Sequence, residues 1–212
     1  MTDKTSFLRR ALMSFIGCVI IGIGDGFLRL CNFGNLPFTV MSLSAASLVG
    51  CSMGAAQLTI NIAMFIPGAF FERRRVNIGT LMNAVFVGFA SDITVRLAGM
   101  AGGMTAFSLR LVFLAAGYAV YCFGCAVFLG ADAGCAPYDM INFILVAHTP
   151  LSYRLSRVIC DVACVAVGIA VSLAATGNMP SVGAGTLLLA FGTGPTVQLF
   201  LTLMGKNKTV SK

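Results

Sequence analysis

Residues 11–40 read ALMSFIGCVIIGIGDGFLRLCNFGNLPFTV, and the fold follows from how that stretch is divided. Its first twenty residues carry only two charges, Asp25 and Arg29. About twenty mostly apolar residues at a rise of about 1.5 Å each are what a helix needs to cross the hydrocarbon of a bilayer. Gly34-Asn35-Leu36-Pro37 then punctuates the chain. Glycine tolerates a tight turn, and proline suits the first turn of a helix, where its missing N–H would be unpaired anyway. A new helix is therefore expected at Pro37. Its apolar run, 37–49, is too short to cross and is read as re-entrant or interfacial.

The same design returns 100 residues later. Gly17, Gly24, Gly34, Pro37, Ser52, Ala63 and Gly68 are matched by Gly117, Gly124, Gly134, Pro137, Ser152, Ala163 and Gly168. Past a six-residue insertion near 176–181, Val76, Gly79, Thr80, Leu81, Ala84 and Gly88 are matched by Val182, Gly185, Thr186, Leu187, Ala190 and Gly194. Glycine fills 24 of 212 positions, too few for four Gly-on-Gly coincidences in one register by composition alone. The expected organisation is thus two membrane repeats, 1–105 and 106–212, in one integrated membrane domain.

Six segments are expected to span: 11–30, 53–71, 78–98, 108–130, 155–176 and 183–204. The pieces 37–49 and 137–148 are the short ones. Basic residues cluster at Lys4, Arg9, Arg10; at Arg73, Arg74, Arg75; at Arg154, Arg157; and at Lys206, Lys208, Lys212. Six crossings put all four clusters on one side, as the retention of Lys- and Arg-rich loops in the cytoplasm requires. Both termini are then cytoplasmic, and the loops 31–36, 99–107 and 177–182 face out. Three spans per half is an odd number, so the second half enters from the opposite side. The fold class expected is an all-α polytopic bundle of two inverted three-helix repeats, each with a short re-entrant half-helix.

Composition supports the bilayer as solvent. The chain is 58% hydrophobic and 10% charged, with a mean hydropathy of +0.94, against about 25% charged residues in an ordinary soluble domain. The net charge of +7 sits at segment ends and not in a patch, which argues against nucleic acid. The N-terminal apolar run continues past Cys18 without a small-x-small cleavage site and is read as a retained span. The eight cysteines lie mostly in apolar runs and are read as small packing residues. Cys122-x-x-Cys125 lacks His or carboxylate partners, while Cys31 and Cys135 flank turns where reagents are expected to reach them.

The paired segments Gly34-x-x-Pro37-Phe38-Thr39 and Gly134-x-x-Pro137-Tyr138-Asp139, with Val76-Asn-Ile-Gly79-Thr80-Leu-Met-Asn83 after a basic loop, resemble the YczE-like bacterial membrane proteins, related to the YitT group. The resemblance spans about residues 12–204. It implies a multi-pass protein of the bacterial cytoplasmic membrane. Half one departs from the acidic pattern, with Thr39 opposite Asp139, so a mechanism needing two symmetric carboxylates is not expected.

Polar residues inside spans are costly and tend to face a partner or a water-filled path. Asp25–Arg29, Asp92–Arg96 and Arg157–Asp161 are each four apart, on one helix face. They are ion-pair or gating candidates, or else local neutralisation near helix ends. Asn35, Pro37, Thr39, Asn61, Asn83, Pro137, Asp139 and Asp161 are the candidate cavity residues, with helix–helix hydrogen bonding the alternative for the amides. Gly192-Thr-Gly-Pro195 is expected to break or kink the sixth span. Gly22 and Gly26 suit close helix packing.

No catalytic set, metal cluster, cofactor motif or G-x-x-x-x-G-K-[ST] loop is present in the sequence, and no enzyme activity is expected. An Asp139/Asp161 protease dyad has no supporting motif. The expected partners are the lipid bilayer and a small solute, with protein partners undefined. Two functions remain open. One is a small-solute transporter or substrate-binding membrane subunit; the other is a non-transporting accessory or regulatory protein.

Overall fold

A computed structural model describes residues 2–100, 106–178 and 182–205, with side chains from Ser6 onward. Among them lie eight α-helices: α1 (Thr2–Cys31), α2 (Pro37–Val49), α3 (Met53–Phe71), α4 (Ile78–Met100), α5 (Phe107–Ala131), α6 (Pro137–His148), α7 (Tyr153–Thr176) and α8 (Ala184–Leu203), with a 3₁₀ turn at Arg73–Arg75. The expected basic tail, Lys206, Lys208 and Lys212, lies outside the described residues, as do 101–105 and 179–181 of two expected loops and the Lys4 side chain.

Six helices are long and apolar enough to cross a membrane: Ser6–Cys31, Met53–Phe71, Ile78–Met100, Phe107–Ala131, Tyr153–Thr176 and Ala184–Leu203. α2 and α6 are the short ones. Large apolar side chains such as Phe70, Leu97, Leu187 and Phe191 stand exposed on these helices. In water that surface would be a liability; in hydrocarbon it is ordinary, because lipid tails are as apolar as these side chains and each helix satisfies its own backbone.

The helix starts follow from single residues. Pro37 and Pro137 sit in the first turns of α2 and α6. Ser52 accepts from the Ala55 N–H at 3.2 Å and Ser152 from the Leu155 N–H at 3.3 Å, which caps α3 and α7. Gly34 and Gly134 take φ of +118° and +120°, in the region glycine tolerates best. Each turn grips the start of a distant span. Gly185 N–H donates to Phe33 O at 3.0 Å, and Gly79 N–H donates to Ala133 O at 2.8 Å.

Packing is reciprocal between the two halves. A Cβ at Gly17 would meet the Phe128 backbone, and one at Gly117 would meet Phe27 and Leu28. Gly24 abuts Tyr121 while Gly124 abuts Ile20 and Ile21; Gly68 abuts Met140 while Gly168 abuts Val40 and Met41. These glycines let helix axes approach closely, the main device for association where no hydrophobic effect operates between helices.

The helices sort into two groups. α1 packs on α4 and α5, and α5 on α8. α2 packs on α3 and α7, and α6 on α3 and α7. The groups meet chiefly where α3 lies on α4.

Two expectations are corrected. The break is absent: α8 runs as one helix through Pro195, as α3 does through Pro67, because the lost N–H removes one rung while flanking rungs hold. Thr193 Oγ1 donates to Leu189 O within that same stretch of α8. Cys31 and Cys135 are buried, since the turns they flank are folded against neighbouring helix starts. Burial pushes the Cys135 thiol up to about 12.

Candidate functional site

Two polar clusters join the helices, the first largely buried and the second half-buried. In the first, α1 supplies Asp25 and Arg29, α4 supplies Ser91 and Asp92, α2 supplies Thr39, and α3 supplies the N–H of Gly54. Thr39 Oγ1 donates to Asp25 Oδ1 at 2.7 Å and Ser91 Oγ to Asp25 Oδ2 at 2.6 Å. Arg29 Nη1 donates to Ser91 Oγ at 3.0 Å and to Asp92 Oδ1 at 2.9 Å. Gly54 N–H, in the first turn of α3, donates to Asp92 Oδ2 at 2.7 Å. A carboxylate at a helix N-terminus gains from the unpaired N–H groups and the helix dipole. Asp25 is 2% exposed.

This arrangement corrects the local pairing read from spacing. Arg29 bridges to Asp92 on another helix, and Arg96 is exposed and without an ion pair among the described residues. The cause lies in Gly22 and Gly26. A Cβ at Gly22 would stand 2.7 Å from Val87 O and one at Gly26 2.6 Å from Thr94 Cβ, so α4 comes near enough for Asp92 to meet Arg29.

The second cluster is built on α6 and α7. Arg157 Nη1 donates to Asp139 Oδ1 at 2.6 Å, and its Nε lies 3.7 Å from Asp161 Oδ2. Tyr138 OH donates to Asp161 Oδ1 at 2.5 Å. The Arg157 guanidinium stands 4.9 Å from the Tyr138 ring centroid, a favourable place for a cation. Here the i,i+4 pair is made, and Asp139 joins it from the start of α6. One turn further along α6, Ser156 Oγ donates to Asn142 O at 3.3 Å.

The clusters adjoin. Phe38, beside Thr39, meets Tyr138 with ring centroids 5.2 Å apart. Each cluster holds two carboxylates and one guanidinium. A single charge at the centre of a membrane helix costs about 2.5–3.5 kcal/mol even on the mildest scale. Such groups persist where they are paired and hydrogen-bonded, as here.

The other candidates are dispersed. Asn61 Nδ2 donates to Ala84 O at 3.2 Å across the α3–α4 contact. Asn83 is half-buried beside Cys18. Asn35 is buried with Oδ1 unpaired, and so are Gln57 Oε1 and Ser14 Oγ. Pro37 and Pro137 start α2 and α6 and contribute position only. His148 edges against Phe71, its ring centroid 5.3 Å away, at the end of α6. Among the described residues no three His, Cys, Asp or Glu gather as a metal set.

Sequence reasoning left out Ser91 and the Gly54 amide, and named Tyr138 only as part of the Pro137-Tyr138-Asp139 segment. Ser91 and Tyr138 each precede a singled-out aspartate, which was the available signal. The amide leaves no trace in residue type.

Six helices long and apolar enough to span, carrying two paired charge clusters, define a polytopic α-helical membrane protein. The chain belongs to the family of unknown function DUF6198, whose model matches residues 8–202. It is similar to an uncharacterized protein of Haemophilus influenzae, with 28% identity over 187 residues, or 88% of this chain and 81% of that protein. No solved structure matches it.

Proposed function

We propose that this protein moves a small solute across the bacterial cytoplasmic membrane, alone or as the substrate-binding membrane subunit of a larger system. One observation carries the proposal: hydrogen-bonded charges line the seam where the two helix groups meet. Thr39 on α2 reaches Asp25 on α1, and Gly54 on α3 reaches Asp92 on α4. A bundle needing only stability would fill that seam with apolar residues, because replacing buried ion pairs that way is often neutral or stabilising.

The reciprocal glycine contacts support two inverted repeats, 1–105 and 106–212, about a twofold axis in the membrane plane. In that arrangement α2 and α6 are re-entrant half-helices whose starts, at Thr39 and at Tyr138–Asp139, approach the clusters from opposite sides. Transporters built from inverted repeats place their sites near the midplane at such discontinuous helices. The basic clusters support cytoplasmic termini, and the resemblance to YczE-like proteins supports the bacterial membrane. No enzyme activity, cofactor or nucleic-acid partner belongs to this assignment.

The test is uptake of a solute panel into proteoliposomes, with thermal-shift screening of the same panel. Asp139→Asn and Asp161→Asn should abolish or strongly reduce uptake of any hit. Transport is abandoned if no solute stabilises or enters and neither substitution alters a cellular phenotype.

An accessory role without transport is the second reading. It draws on the filled centre, where Phe38 meets Tyr138 and both seam aspartates, Asp25 and Asp92, have partners. It predicts co-purification with a defined membrane partner and indifference to solutes.

A further inference from the structure

We propose that the two helix groups rock against each other, and that the structure holds one side of their seam shut and the other open. The inference rests on the transport reading and supplies its moving parts. One group is α1, α4, α5 and α8; the other is α2, α3, α6 and α7. If the halves are equivalent, the contact of α3 with α4 should recur between α7 and α8. It does not: α3 lies along α4, while α7 and α8 scarcely touch.

Matching glycines show the difference at atomic scale. A Cβ at Gly88 on α4 would stand 2.9 Å from both Gly54 Cα and Gln57 Oε1 on α3. At Gly194, its counterpart on α8, a Cβ would meet nothing within 4 Å. α4 also packs more extensively on α1 than α8 does on α5.

The shut side has a latch and a built-in cost. Asp92 is held by Arg29 from α1 and by the Gly54 N–H from α3, so it ties the groups together. Asn61 adds a bond to Ala84 O. Against these, closure leaves Gln57 Oε1 buried without a donor, a penalty that opening relieves. Tight but imperfect closure on one side is what a two-state seam requires, since packed interfaces switch between discrete arrangements and do not deform continuously. Rocking of one bundle on another about a central site is the usual form of alternating access. In the opposite state α8 closes on α7 and α4 leaves α3.

The experiment starts from Cys51→Ser, which removes the exposed native thiol, and adds Gln57→Cys as a reporter on the shut side. Arg154→Cys and Gly194→Cys, both exposed positions, are placed across the open side. A short bifunctional thiol reagent should join that pair, and joining it should raise the reactivity of Gln57→Cys at least several-fold. Cys122, buried in the α5–α8 core, should stay unreactive throughout and so reports that the fold is intact. In a second variant without the cross-link pair, Asp92→Asn should raise Gln57→Cys reactivity by weakening the latch.

The proposal is overturned if the pair never joins, or if joining it leaves Gln57→Cys as unreactive as before. Exchange of sides with no solute carried upholds the motion and removes transport. Solute uptake by a protein whose α7 and α8 never close keeps transport and removes the motion.

Discussion

Arg29 on α1 and Asp92 on α4 stand 63 residues apart in sequence and 2.9 Å apart in space. Their side chains are both 13% exposed. The pair binds the first span to the third within the first half of the chain, and its aspartate also takes the first-turn amide of α3. Tertiary coupling, and not the i,i+4 spacing of α1, sets the partner of this arginine.

Removing one partner should be worse than removing both. Arg29→Ala leaves Asp92 without its cation, and breaking a buried pair in this way costs about 3–5 kcal/mol. Adding Asp92→Ala should recover part of that loss, giving a coupling within the range of about 0.5–3 kcal/mol found for residues in one network. Unfolding in detergent or bicelles, run as a double-mutant cycle, measures it. Additive losses would mean the pair is not coupled.

Tyr138 has a different role from Phe38 although their rings touch. Tyr138→Phe removes the donor to Asp161 and should cost about 1–3 kcal/mol, the usual penalty for stranding a buried acceptor. Phe38→Leu keeps apolar volume near Tyr138 and should cost less. Comparable melting shifts for the two would show that the hydroxyl contributes nothing beyond packing.

Close approach at the α1–α5 contact should be intolerant of side chains. A Cβ at Gly17 stands 2.8 Å from the Phe128 amide nitrogen, so Gly17→Leu must push the helices apart. Overpacking of this kind costs about 1–3 kcal/mol. Gly117→Leu should behave alike, because it faces Phe27 and Leu28 in the reciprocal contact, whereas Gly99→Leu, with open space around it, should be neutral. Monodispersity after extraction, followed by thermal melts, separates the three.

Sidedness is checked by labelling. Arg74→Cys, in the Arg73–Arg75 turn, should react from the cytoplasmic side, and Asn178→Cys, beyond the end of α7, from the outer side. Reaction of both from one side would remove the proposed topology.

The spans and the short helices were legible from the chain because hydrocarbon imposes a single requirement, a long apolar helix with its backbone satisfied internally. Thus 53–71 was read from apolarity and forms Met53–Phe71, and Pro37 and Pro137 were read as helix starts and are such. Gly22 and Gly26 announced a close helix contact without saying with what. Spacing alone paired Asp25 with Arg29 and Asp92 with Arg96, since a one-dimensional pattern registers only neighbours on the same helix. The turns that Cys31 and Cys135 flank looked open for a similar reason: what covers them comes from elsewhere in the chain.

Residue type by itself therefore determined which segments are long and apolar enough to cross and where they begin. Tertiary structure decided which helices meet, and so which carboxylate faces which arginine and why α3 lies shut on α4 while α7 stands off α8. The division has one physical cause. Partition into a bilayer is a sum over the residues of one helix, while pairing of buried charges depends on distances between helices, which small residues at their crossings control.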